Sequence, residues 1–354
     1  MKQPALGLVA SALVMAIALA YISLFPVGTF LGWVSLFMLA LIPMQVVMVV
    51  LWGGNPSFAA GMSQPGKGVV LVLFTVLVAI GATAATYGIV GQSVSPPGPI
   101  PSHFAVVVVP TTFWLAIMMG GWPFTGLIKS STTAAYAVLL AAYVLTYVEF
   151  RVLFNYDFMQ GAPVYLSSAP HGMFNAVMVL VFHVTALAVM FLVLCFDLWP
   201  LTSSPAVMKQ PVLGLVWSAI TLGGAALAMW IGVGVLGMDP MSFLTGVTAP
   251  FIFGAIIMLN MLQNSLFANM TQPSKGLANA IGAAVVGVVL AHLYTALTPV
   301  VSGALPSGPP GYELEVWLAN SLLSVTFPFL IYYAVFFGYW PLVKPASSSV
   351  VART

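Results

Sequence analysis

The sequence is nearly without charge. Eight Lys or Arg and six Asp or Glu amount to 4% of 354 residues, where a soluble domain carries about 25%. So few charges cannot cover a surface facing water, so an aqueous fold and a disordered chain are both excluded. A net charge of +2 with no basic run excludes a nucleic-acid surface. The single cysteine, Cys195, allows no intramolecular disulfide and no CxxC redox or metal motif. There is no P-loop, HExxH or GxSxG, which argues against a self-contained ATP-driven pump and most hydrolases. The alternation of a membrane β-barrel is missing as well.

What remains is apolar: 61% hydrophobic residues and a mean hydropathy of +1.11. Stretches of about 20 apolar residues cross a hydrocarbon core as helices, because every backbone group must be paired internally. Ten such spans are expected, near 5–25, 29–53, 68–92, 103–121, 132–154, 172–198, 211–235, 242–266, 276–299 and 315–339. The first resembles a signal peptide, but its near-copy at 208 must be a mature helix, so it is read as retained. Lys2, Lys67, Lys129, Lys209, Lys275, Lys344 and Arg353 fall in the termini or the even-numbered connections. The opposite loops hold Asp157, Asp239, Glu313 and Glu315. The positive-inside rule therefore places both termini in the cytoplasm. The Ala-, Val- and Gly-rich, Lys-poor composition suggests a bacterial inner membrane.

The chain also repeats itself. MKQPALGLVASA at 1–12 matches MKQPVLGLVWSA at 208–219 in ten of twelve positions, and MSQPGKG at 62–68 matches MTQPSKG at 270–276. Pro110 and Trp122-Pro123 recur 218 residues on as Pro328 and Trp340-Pro341. The expected organisation is two parallel four-helix repeats, 1–129 and 208–344, flanking a two-helix hairpin at 130–207, with a cytoplasmic tail at 345–354. A shorter unit, Gln-Pro-x-x-Gly, opens odd-numbered spans at Gln3, Gln64, Gln210 and Gln272, read as helix initiation by proline. Trp-Pro closes the fourth, sixth and tenth spans, read as interfacial aromatics with a helix stop. Pro43, Pro110, Pro250 and Pro328 should kink the second, fourth, eighth and tenth. On these units the chain also reads as five hairpins.

The central hairpin holds Glu149, Arg151, Asp157, His171, His183, Cys195 and Asp197, whereas the repeats hold one deep ionisable group, His292. Ionisable groups in a bilayer are functional candidates. At about 1.5 Å per residue, Glu149, His183 and His292 lie roughly 26, 22 and 24 Å from the cytoplasmic boundary. One carboxylate and two imidazoles thus share a level. They could ligate a divalent metal, hold a haem iron between His183 and His292, relay protons, or simply bond to neighbouring helices. Arg151 is either an outer anion gate or a snorkelling residue. Asp197 reads as a partner for Lys129 or Lys209, and His103 and His171 as solvated helix starts. Cys195 and the 19 methionines read as packing.

The expected function is that of a permease or facilitator for a small neutral or weakly charged solute, more transporter than enzyme. Its path would lie between the repeats near the fifth, sixth and ninth spans, with Glu149, Arg151, His183 and His292 along it. Two alternatives stand beside this: a membrane subunit of a redox or metal enzyme binding haem or metal through His183 and His292, and an accessory or assembly subunit. Its partners are then the bilayer, the solute, and further membrane subunits or second copies of the chain.

Overall fold

The computed structural model describes residues 1–343. The tail at 345–354, with Lys344 and Arg353, lies outside the described residues. Ten helices are long and apolar enough to cross a membrane: α1 (Ala5–Ile22), α2 (Val27–Val50), α3 (Gly66–Val90), α4 (Pro99–Met118), α5 (Ser131–Leu153), α6 (Ala176–Cys195), α7 (Val212–Val235), α8 (Pro240–Met261), α9 (Ser274–Val301) and α10 (Glu313–Phe336). The chain folds as an all-α protein of multi-pass membrane type.

Odd and even helices differ in burial. Between 50% and 78% of each even helix is buried inside the protein, but only 22–39% of each odd one. The reason is their placement. The even helices pack in the order α2, α4, α6, α8, α10, and α10 closes back on α2. The odd helices stand outside, each over a seam of this ring: α1 at α8/α10, α3 at α10/α2, α5 at α2/α4, α7 at α4/α6 and α9 at α6/α8. Every odd helix therefore covers the inner helix just before it in the chain and the one before that, counted around the ring.

Prolines in the middle of a span belong to even helices, and the one inside an odd helix, Pro299, lies in the last turn of α9. Pro43 and Pro110 lie inside α2 and α4, and Pro250 and Pro328 fall within the α8 and α10 spans. A proline breaks one backbone hydrogen bond. Beside one of them the ring adds a bond between helices: Gln45 on α2 donates from Nε2 to the Pro328 carbonyl at 3.2 Å, a carbonyl that also accepts the Tyr332 amide. π-helical turns interrupt α2, α4, α8 and α10, whereas α5 and α6 run as uninterrupted α-helix.

All five even helices end alike. Two consecutive residues turn left-handed: Gly53-Gly54, Gly120-Gly121, Asp197-Leu198, Gln263-Asn264 and Gly338-Tyr339. At four ends the second of the pair donates its amide to a carbonyl six residues back, as Gly121 does to Leu115 at 2.8 Å, a stop one residue wider than the Schellman motif. Trp-Pro follows this stop rather than making it.

The Gln-Pro-x-x-Gly unit does more than start a helix. In all four copies the Gln Oε1 accepts the amide of the Gly four residues on, at 3.0–3.2 Å. Its Nε2 donates across the seam. Gln3 reaches the Met261 carbonyl of α8, Gln64 the Phe336 carbonyl of α10, and Gln210 the Met118 carbonyl of α4. Gln272 reaches the Asp197 carboxylate below α6. The motif glycine allows the approach: a Cβ on Gly7 would collide with the Met261 carbonyl, and one on Gly276 with the Phe196 ring.

Candidate functional site

The ring encloses a cavity of about 540 Å³, lined by all five even helices and by no residue of an odd one. Its wall on α6 is Leu180, Val184, Leu187 and Phe191, the spacing of one helical stripe. Leu39 and Ile42 of α2, Val106 and Val109 of α4, and Ile252 and Ile256 of α8 continue the apolar surface. Phe113, Phe191 and Phe327 meet at its deep end, with ring centroids 5.6 Å apart for Phe113–Phe191 and 6.2 Å for Phe113–Phe327. The loop at 94–98 lines the other end with Pro163, Val164 and Leu166 of the α5–α6 connection. The cavity is thus closed by aromatic rings towards the C-terminal ends of the even helices and roofed by loops at their starts.

Polar groups in this wall are few. At the loop end they are Ser95, Ser102, whose Oγ donates to the Gly98 carbonyl at 3.0 Å, and the Glu313 carboxylate; beyond these stand Asn320, Ser324 and His103. On α10, Ser324 Oγ donates to Asn320 Oδ1 at 2.8 Å, and Asn320 Nδ2 donates to the Val316 carbonyl at 2.9 Å. The second amide proton of Asn320 remains for a ligand. On α4, His103 Nδ1 lies 3.0 Å from the hydroxyl of Tyr156, leaving Nε2 uncommitted. Burial pushes the Tyr156 hydroxyl well above its ordinary value, so it stays protonated. The arrangement suits a small, mainly apolar molecule with one or two hydrogen-bonding groups, and its size lies in the usual range for such pockets.

The α5–α6 connection is an ordered cap. Two short parallel strands, β1 (Phe154–Asn155) and β2 (Phe174–Asn175), tie its ends together. For this reason α6 starts at Ala176, under an Asn175 cap, and not at the expected 172. Arg151 Nη1 donates to the Ser168 carbonyl at 2.9 Å, so its guanidinium anchors the cap and takes no part in the cavity wall. His171 pairs with Asp157. That hydrogen bond, aided by Asn155 and Gln160, holds the Asp157 carboxyl below its ordinary value.

The trio of Glu149, His183 and His292 divides. Glu149 Oε2 lies 3.7 Å from His183 Nε2 and 3.3 Å from Thr111 Oγ1, whose hydrogen is shared with the nearer Val107 carbonyl at 3.0 Å. His183 Nδ1 sits 2.8 Å from the Val179 carbonyl; a carbonyl only accepts, so Nδ1 carries hydrogen and Nε2 is the atom presented to Glu149. The pair joins α5 to α6 behind the cavity wall. His292 instead faces a separate pocket between α8, α9 and α10. α5 and α9 stand over different seams, which separates His292 from Glu149. Although α9 packs on α6, His292 lines a pocket made by α8, α9 and α10 to which His183 does not contribute. Among the described residues no three His, Cys, Asp or Glu gather as metal ligands.

Other expectations shift in detail. Asp197 pairs with Lys275 at 2.7 Å, not with Lys129 or Lys209. His103, read as a solvated helix start, belongs to the cavity wall. The path expected near α5, α6 and α9 differs from the cavity, which only α6 of these three lines. Sequence reasoning overlooked the glutamine clamps and the ring. The available signals were the four-fold recurrence of a polar Gln with a Gly four residues on, and mid-span prolines confined to even spans.

No protein-family model, curated protein or solved structure matches this chain.

Proposed function

We propose that the protein is a permease or facilitator of the bacterial inner membrane for a small neutral or weakly charged solute, which it binds in the central cavity. One observation carries this reading: a cavity of about 540 Å³ on the axis of five helices, four of them with interior prolines and π-helical turns. A single-subunit path through a bilayer needs such a chamber, and prolines and π-turns are common where inner helices bend or carry function. The basic loops and the positive-inside rule put both termini in the cytoplasm. The cavity then has its roof outside and its phenylalanine floor towards the cytoplasm. In this reading 1–129 and 208–344 are two copies of one four-helix unit, and the α5–α6 hairpin completes the ring. The Glu149–His183 pair is a proton-binding group beside the path, in keeping with the role of buried ionisable groups in bilayers.

The test is flux through the purified protein in liposomes, followed by light scattering in gradients of glycerol, urea and butyramide. At least one solute should enter faster than in empty liposomes. Val184→Trp and Ala319→Trp, which fill the chamber, should return entry to the background rate while the protein still elutes as a folded species. Flux that ignores both substitutions would place the path elsewhere, and no flux for any of the three would remove the reading of a neutral-solute facilitator.

A further inference from the structure

The pocket that holds His292 is separate from the central cavity. It measures about 260 Å³ and lies between α8, α9 and α10, near the ends where α8 and α10 begin. Its polar lining is Ser242, Thr245, His292, Thr295 and Glu315. The protons of these groups are already spent within the protein. Thr245 Oγ1 donates to the Met241 carbonyl and Thr295 Oγ1 to the Ala291 carbonyl, each at 2.9 Å. Ser242 Oγ donates to Asp239 Oδ1 at 3.5 Å. His292 Nδ1 lies 2.8 Å from the Val288 carbonyl, so it is the protonated nitrogen and Nε2 is left over. Pro250, also in the lining, has no amide hydrogen to offer. What the lining keeps free is therefore lone pairs: three hydroxyl oxygens, an imidazole nitrogen and a carboxylate.

Glu315 adds an unbalanced charge. Its side chain is 9% exposed. Oε1 accepts from Ser307 Oγ at 2.5 Å and from the Gly308 amide at 3.0 Å. Oε2 is buried and has no hydrogen-bond partner, and Glu315 forms no ion pair among the described residues. A buried charge without a counter-charge is strongly unfavourable. The loops at this edge supply none: 236–242 and 302–315 hold Asp239, Glu313 and Glu315 and not one Lys or Arg. Asp239 is itself occupied, accepting the amides of Met241 and Ser242 and the hydroxyl of Tyr312. The local field is negative and draws cations to the pocket.

We infer that this pocket binds a small monovalent cation, an alkali or ammonium ion, with Glu315 as its counter-charge and His292 Nε2 and the Thr245 and Thr295 oxygens as further acceptors. A lining that offers acceptors without donors selects against anions and against ligands that must accept a hydrogen bond. The site stands independently of the central cavity, and occupancy is read without flux.

The experiment is thermal unfolding of the purified protein in detergent at pH 7.5, titrated with NaCl or NH₄Cl against N-methylglucamine chloride at equal ionic strength. One of the two small cations, or both, should raise the unfolding midpoint saturably over the bulky one, as a ligand of the folded state does. Glu315→Gln, which keeps the bonds to Ser307 and Gly308 through its amide oxygen, should weaken the half-saturating concentration roughly tenfold to a hundredfold. Gly246→Leu is the second variant: a Cβ there meets open space, and its side chain fills the pocket with Glu315 intact. It should abolish the saturable shift. A response to sodium alone assigns an alkali site, and to ammonium alone an ammonium site. Superimposable curves in all three salts, or a shift that survives both variants, would overturn the inference.

Discussion

Five seams run around the outside of the ring, and they are not built alike. At four of them an odd helix enters on a glutamine that bonds its own first turn and reaches across to the end of the inner helix. At the fifth, where α5 meets α2, the entry residue is Ser130, whose hydroxyl accepts only from its own Thr133 at 3.2 Å. Aromatic contacts hold that seam instead. Trp52, just past α2, meets Tyr136 of α5 edge-on at 5.5 Å and Phe74 of α3 at 6.5 Å. The two solutions differ in kind. A clamp fixes distance and angle through paired polar groups, whereas an aromatic contact is less directional and tolerates sliding. The hairpin with the less directional seam also carries Glu149, Arg151, the cap and the His183 pair. Ionisable groups and freedom from the clamp coincide in one part of the ring.

The contrast can be broken most severely at a clamp glycine. Gly7→Leu drives a side chain into the backbone of Met261 and should destabilise the fold by at least about 3 kcal/mol, seen as loss of the monodisperse species in size-exclusion chromatography. At the aromatic seam, Trp52→Ala should cost about 2–3 kcal/mol, less than for a fully buried ring because Trp52 is only partly buried. Removing one clamp is milder still. Gln210→Leu leaves the Met118 carbonyl and the Gly214 amide unpaired and should lower stability by about 1–2 kcal/mol. Glu149→Gln keeps a polar group beside Thr111 and His183 and should change stability by about 1 kcal/mol, its main effect being a changed pH dependence of flux. If Trp52→Ala leaves the α5 backbone as protected from hydrogen exchange as α7, the two kinds of seam are equivalent and the comparison fails.

The smallest effect concerns the cap. Asp157 titrates below its ordinary value in the folded protein because His171 hydrogen-bonds it. A depressed carboxylate stabilises the fold above its unfolded pKa, and that contribution disappears as pH falls through the lower, folded value. Amides at 154–175 should therefore exchange faster once pH drops below the ordinary carboxylate range, with the rest of the ring unchanged. Asp157→Asn should show the faster exchange already at neutral pH.

The ten spans were legible because a bilayer sets one length for every crossing: the first was expected at 5–25 and is Ala5–Ile22, the fourth at 103–121 and is Pro99–Met118. Spacing along a chain also gives depth, and it placed Glu149 and His183 at one level correctly enough that they meet at 3.7 Å. It gives no angle around an axis. His292 shares that depth and faces a different pocket, since nothing in its neighbours states which seam α9 covers. The ring was hidden for the same reason. A glutamine donates to whichever carbonyl is near, and the sequence around Gln3 does not name Met261. Asn320 and Ser324 looked like ordinary polar residues of a span, and only the stripe they share with Val316, Leu323 and Phe327 puts them in the cavity.

The clamps also impose an order in time. Gln3 waits for a carbonyl 258 residues downstream and Gln64 for one 272 residues downstream. At a synthesis rate of about 5–20 residues per second, that delay is roughly ten seconds to a minute. During it α1 and α3 stand in the lipid with their clamp glutamines unmatched, while the later hairpins are still being made. The α1 helix, which covers α8 and α10, is thus among the last to dock, whereas α3 lies on α2 early but closes its seam only with α10. A chain cut short before α8 and α10 has no acceptor for either glutamine. A nascent protein of this design exposes its own incompleteness to whatever machinery surveys unassembled helices.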